Sequence, residues 1–202
     1  MAIFRPESKS SSSNSFYGIC EVAIISFEDR SSEFKWADIY LDIEVKQKGS
    51  DYTKQLRIVG DLEKSDGKIT GGSVLKRLYN LFDIIGEKAG LTVDGKWENE
   101  DGEEIHDIAR YLNQKHASEV IPDTDPDFNY VAYVYKEKPK QKGGKVYTRV
   151  FHRIQTNDEN GKKQLDSDVK WFKDKSFLKE ASLEDVNPTQ NVEMSSEGIG
   201  NL

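Results

Sequence analysis

From Trp36 to Lys46 the chain alternates with a period of two. Ala37, Ile39, Leu41, Ile43 and Val45 fall on one side, and Trp36, Asp38, Tyr40, Asp42, Glu44 and Lys46 on the other. Successive side chains of a strand point to opposite faces, so this pattern predicts a half-buried antiparallel strand with a polar and aromatic outer face. The preceding stretch, FYGICEVAIISFEDR, is rich in branched and aromatic residues and ends in charge, which predicts a first strand. After the turn residues Lys48, Gly49, Ser50 and Asp51, YTKQLRIVG predicts a third strand that closes a hairpin with the second.

The period then lengthens. In GGSVLKRLYNLFDIIGEKAG, Leu75, Leu78, Phe82, Ile85 and Ala89 recur at three- and four-residue steps, which predicts a helix with one apolar stripe, Ser73 as its N-cap and Gly90 as its stop. An acidic connection, VDGKWENEDGEE, leads into a shorter amphipathic segment, EEIHDIARYLNQKH, with Ile105, Ile108 and Leu112 on one side. Beyond the turn-rich IPDTDPD, the runs NYVAYVYKEK and KVYTRVFHRIQ predict two further strands joined by a lysine-rich loop. NDENGKK reads as a turn, and VKWFKDKSFLKE as a short helix or edge segment packed through Trp171, Phe172 and Phe177.

Three strands, a helix with a helical insertion, and two more strands follow the order of an OB-fold, a five-stranded, partly open barrel whose helix lies between strands three and four. The expectation is a mainly β OB-fold domain over residues 16–180, with the acidic and helical insertion at 92–127. A serine-rich flexible arm over 1–15 precedes it, and an acidic flexible tail over 181–202 follows.

Charge changes this picture locally. The whole chain of 202 residues carries a net charge of −7 and a mean hydropathy of −0.73, which argues against general attraction to polyanions. Yet KEKPKQKGGKVYTRVFHR gathers Lys136, Lys138, Lys140, Lys142, Lys145, Arg149 and Arg153 against one acid, Glu137. Its six net positive charges leave about −13 for the rest, an asymmetry that suggests a dedicated patch. Cys20 is the only cysteine, which excludes an internal disulfide and fits a reducing compartment. The start has no signal-peptide apolar run and no stretch approaches the ~20 apolar residues of a bilayer span, so a cytoplasmic protein without membrane contact is expected.

A single nucleic-acid strand presents a line of phosphates and a row of bases, and a binder needs spaced cations and flat rings. Alternation along KVYTRVFHR sends Tyr147, Arg149, Phe151 and Arg153 to one face; Tyr133 and Tyr135 come from the partner strand, Lys54 and Arg57 from the third, and Trp36 and Tyr40 from the second. With Lys138, Lys140, Lys142 and Lys145 of the loop, these are the candidate nucleic-acid-binding residues. The plainer reading is that hairpin lysines stay solvated and guard a sheet edge, and that strand tyrosines simply pack.

Catalytic patterns are absent. There is no G-x-x-x-x-G-K-[ST] loop, and GGSVLKR is better explained by helix capping than by phosphate binding. His106, His116 and His152 show no H-E-x-x-H pairing, and DGKWENEDGEE lacks the ligand positions of an EF-hand. Asp123, Asp125 and Asp127 could in principle hold magnesium, but their proline-rich turn explains them more simply. Neither enzyme activity, metal nor cofactor is expected.

The succession GICEVAIISFEDR, WADIYLDIEV, QLRIVG, GGSVLKRLYNLFDIIGEKAG and a late strand pair with a basic turn resembles the bacteriophage single-stranded DNA-binding proteins of the DUF669-like OB-fold group, over roughly residues 16–155. The resemblance implies a protein of phage replication and recombination that coats single-stranded DNA without sequence preference in the host cytoplasm. The insertion from Asp94 to Glu104 departs from that layout. The C-terminal acids Glu180, Glu184, Asp185, Glu193 and Glu197, with Ile199 and Leu202 near the end, are similar to the partner-capturing tails of bacterial single-strand binding proteins, which would recruit replication or recombination proteins; a plain disordered terminus accounts for the same composition. A protein-interaction module, a replisome adaptor or host-directed inhibitor working through the acidic insertion, is the competing class.

Overall fold

A computed structural model describes residues 17–119, 124–141 and 144–182. The fold is mainly β, with one five-stranded antiparallel sheet and three α-helices. In chain order the elements are β1 (Gly18–Asp29), β2 (Ile39–Gln47), β3 (Thr53–Gly60), β4 (Glu63–Ser65), β5 (Lys68–Gly71), α1 (Ser73–Ile85), β6 (Gly90–Leu91), β7 (Trp97–Glu98), β8 (Glu104–Ile105), α2 (Ile108–His116), β9 (Tyr130–Glu137), β10 (Tyr147–Thr156) and α3 (Glu159–Asp174). The main sheet runs β10-β9-β1-β2-β3.

β1 is the hinge of this sheet. Its first half, Gly18 to Val22, pairs with β9, and its second half, Val22 to Asp29, pairs with β2 across a register shift between Ile24 and Ser26. A strand that changes partners part-way must bend, and a bulge supplies the bend. Where β1 leaves β9, its freed backbone groups are met by α2: Phe27 N–H donates to Asn113 Oδ1 at 2.8 Å, and Asn113 Nδ2 donates to Phe27 O at 2.7 Å. Ser118 N–H donates to Ile24 O at 2.8 Å. The curl brings β3 alongside β10, but no hydrogen-bonded ladder joins them among the described residues. The five strands form an open, curled sheet, with no closed barrel among the described residues.

The concave side holds the main core: Val22, Ile24, Ile43, Leu56 and Ile154 from the strands, with Leu78 and Phe82 of α1 and Leu112 of α2. α1 buries Val74, Leu78, Leu81, Phe82 and Ile85, one stripe at helical spacing. Its ends differ from the expected ones. Gly72, not Ser73, stands at the N-cap, and the helix stops at Gly86, whose φ of 74° is the left-handed cap that glycine adopts without strain. Ala89, expected on the helix, is buried beyond it.

The insertion folds onto this core rather than away from it. β6, β7 and β8 make a small sheet, Trp97 lies 6.1 Å from Phe82, and α2 begins on the N-cap Asp107, which accepts from Arg110 N–H at 2.9 Å.

The convex side of β9 and β10 is covered by α3, an element only half anticipated. NDENGKK is its first turn: Asp158 accepts from Gly161 N–H at 2.8 Å and starts the helix. Gly161 lets the helix approach, since a Cβ there would collide with the Thr156 carbonyl oxygen. Leu165 and Val169 then pack on Val131, Phe151 and Leu178 as a second, smaller core. Among the described residues no helix is long and apolar enough to cross a membrane.

Candidate nucleic-acid interface

The β9–β10 hairpin sets Tyr135 directly opposite Arg149, and Glu137 opposite Tyr147. Across the gap from this pair lies the edge of β3. Lys54, Arg57, Tyr135 and Arg149 thereby line one open cleft of about 730 Å³, with Glu44 and Glu137 among its walls. Arg149 also borders a hollow of about 360 Å³ at the hairpin, lined by Lys138, Lys140, Lys145 and Tyr147. Three strands and a loop thus assemble eight of the expected residues into one continuous surface.

Its cations fall into two kinds. In the cleft, Arg57 Nε donates to Asp42 Oδ1 at 2.7 Å, Arg149 Nε to Glu137 Oε2 at 2.9 Å, and Lys54 Nζ to Gln47 Oε1 at 3.1 Å. Burial lowers the Lys54 pKa from its ordinary value. At the hairpin, Lys140 and Lys145 are exposed and have no ion pair among the described residues. Tyr147 is 53% exposed, with the Arg149 guanidinium 5.5 Å from its ring centre.

Other expected residues sit elsewhere. Tyr40 is buried, stacked on Phe34 at 4.4 Å and 20° between planes, because the loop after β1 folds back over the outer face of β2. Trp36, 62% exposed, belongs to that loop, at the end of β1 opposite the hairpin. Between Val150 and Ile154, β10 has two more residues than β9, a bulge in the ladder. Phe151 keeps the face that it shares with Arg149, but α3 covers that face and leaves it 3% exposed, and Arg153 pairs with Asp168 of α3 at 2.9 Å. Tyr133 and Tyr135 lie nearly parallel at 6.1 Å. The Tyr133 hydroxyl donates to Glu180 and accepts from Lys173 Nζ at 2.7 Å, so this ring is committed to packing. Lys142, Ile199 and Leu202 lie outside the described residues, as do Asp123, the 1–15 arm and all of the tail beyond Ser182.

The structure adds two rings that sequence reasoning assigned to packing. Trp171 is 51% and Phe177 69% exposed, with centroids 5.8 Å apart, while Phe172 between them is the one that packs. Lys175 and Lys179 flank them without ion pairs among the described residues. This segment is stitched to the root of the hairpin: Lys138 N–H donates to Lys179 O at 2.9 Å, and Ala181 N–H to Lys136 O at 2.8 Å. The interleaving of rings and lysines in KWFKDKSFLK was the available signal.

The acidic insertion is partly neutralised, since Glu100 pairs with Lys88 and Glu104 with Lys96, each at 2.8 Å. Asp125 pairs with Lys46 at 3.2 Å. Among the described residues no group of three or more His, Cys, Asp or Glu is arranged to hold a metal ion. Comparison with family models, curated proteins and solved structures returns no match.

Proposed function

We propose that this protein is a non-catalytic binder of single-stranded DNA, engaging the strand without sequence preference through the β9–β10 hairpin and the cleft between β10 and β3. The observation that carries the reading is the convergence of Lys54, Arg57, Tyr135 and Arg149, from three strands, on a cleft that runs into the hairpin lysines. Rings stack bases of any identity, and solvent-exposed lysines attract phosphate, which together give affinity without base readout. Tyr147 of the original set is exposed, and the exposed rings Trp171 and Phe177 take the places of Tyr40 and Phe151 in the candidate set.

The same proposal includes the OB-fold. It is supported by the partner change of β1, by the helix that follows β3, and by the side-by-side edges of β3 and β10. A place in phage replication or recombination follows from the resemblance described above, and belongs to this proposal too.

Fluorescence anisotropy of a labelled oligothymidylate, titrated at several salt concentrations with duplex as competitor, tests it. The expected result is salt-sensitive binding that duplex displaces poorly. Changing Lys138, Lys140, Lys142 and Lys145 together to alanine should flatten the slope of log affinity against log salt by about 0.7 for each phosphate no longer neutralised. Binding unaltered by that change would take the hairpin out of the mechanism.

A further inference from the structure

His152 forms part of the wall of the β3–β10 cleft and also of a second cleft, of about 290 Å³, between α1, β10 and α3. This second cleft is lined by two guanidiniums, Arg77 of α1 and Arg153 of β10, with the side-chain amides of Gln155 and Gln164.

The charges there do not balance. Arg153 has one carboxylate, Asp168 at 2.9 Å, which also accepts from Gln164 Nε2 at 3.1 Å. Arg153 Nε is buried and has no hydrogen-bond partner among the described residues. Arg77 has no carboxylate partner there at all. Its contacts are backbone carbonyls, Val59 O at 2.7 Å from Nη2 and Ser73 O at 3.4 Å from Nε, which leave the rest of its five donors uncommitted. Burial, and then the neighbouring charge of Arg153, push the Arg77 pKa down. His152 is held down at about 4, by burial first and then by Arg153 and Arg77, so it is neutral at pH 7 and offsets neither. The other acid in the lining, Asp83, is exposed.

Two cations in a cleft with one inward-facing carboxylate leave a net positive charge. The uncommitted donors belong to planar forks, the geometry that matches a phosphate's several acceptor oxygens. We infer that the cleft between α1, β10 and α3 is a phosphate-binding pocket, with Arg77 as its principal anchor and Arg153 shared between phosphate and Asp168. The phosphate is either a backbone phosphate of a strand that continues past His152, a source that rests on the function proposed above, or that of a free mononucleotide or inorganic phosphate.

The test follows the side-chain NMR signals of Arg77, Arg153 and His152 while inorganic phosphate is added to the full chain at constant ionic strength, with chloride as the control. Saturable shifts specific to phosphate are expected. Arg77→Gln should weaken the response at least tenfold, and Asp168→Asn, which frees Arg153 while keeping the side chain's shape, should strengthen it severalfold. A merely structural pair would not move binding in opposite directions. Absence of a saturable shift, or unchanged affinity in both variants, overturns the inference. Oligothymidylate anisotropy separates the sources: a strand phosphate predicts that Arg77→Gln weakens oligonucleotide binding about threefold and that phosphate competes beyond chloride, whereas a free phosphate predicts neither. If phosphate binds while oligothymidylate does not, the pocket stands and the strand-binding reading falls.

Discussion

Two regions at opposite ends of β1 are built from the same ingredients and arrive at opposite states. At the turn before β2, Arg30 lies 5.3 Å from the Phe34 ring centre and 5.7 Å from that of Tyr40, and Tyr40 is buried. Arg30 pairs with Glu33 at 2.6 Å and with Asp42 at 3.3 Å, so ring and cation saturate each other. At the β9–β10 hairpin, Tyr147 stands half exposed beside Lys140 and Lys145, which have no such acids among the described residues. Aromatic and basic residues in proximity therefore do not define a binding surface. What distinguishes the two is whether carboxylates and neighbouring loops have already consumed the rings and charges.

That contrast can be broken or sharpened in order of effect. Phe151 is the most deeply buried ring of the hairpin and belongs to the locked class. Phe151→Ala should cost about 3–5 kcal/mol in urea denaturation, and a loss of DNA affinity in a fully stable variant would instead return it to the interface.

Next is His152, whose folded pKa of about 4 lies below its ordinary 6.5. Between those values the unfolded chain takes up a proton that the folded chain resists. This contribution to stability is thus complete above about pH 6.5 and is lost as pH falls through the window, by at most about 3 kcal/mol. His152→Gln should flatten the fall in unfolding free energy between about pH 6.5 and 4.5; an unchanged slope would remove His152 from the balance.

Asp42, whose side chain is 3% exposed, ties Arg30 and Arg57 together across β2 and β3. Because both arginines keep some solvent contact, Asp42→Ala should cost about 2 kcal/mol, below the usual range for a fully buried pair. A midpoint within error of wild type would show that the corner is not held by charge.

The smallest effect lies on the open side. Tyr147→Ala should leave the unfolding midpoint alone and weaken oligothymidylate binding by about 1 kcal/mol, roughly fivefold. A shift in stability without one in binding would move Tyr147 into the locked class.

Legibility followed the same division. The five long strands and α1 were readable because their patterns are local: the alternation around Ile43, the helical stripe through Leu78 and Phe82. A further local signal was present and missed. Asp66-Gly67, both at positive φ, turns the β4–β5 ribbon, and an Asp-Gly pair between short runs is a hairpin signal. α3 was legible in part, since Asp158 is a good cap, but the acid-rich and glycine-containing NDENGKK also satisfies a turn, and local chemistry does not choose between them.

The candidate site was legible as a set of residue types and not as a surface. The chain by itself determined the basic hairpin, the strand order along the sequence and the presence of aromatic residues near cations, because each depends on neighbours a few positions apart. Only the tertiary structure decided which of them face solvent. The docking of α3 buried Phe151 in a second core and joined Arg153 to Asp168. The loop over β2 buried Tyr40, and the curl of β1 carried Lys54 and Arg57 to within one cleft of Arg149. The physical reason is that exposure and ion pairing are set by contacts between segments far apart in the chain, and a period of two or 3.6 says only which side of its own element a residue occupies.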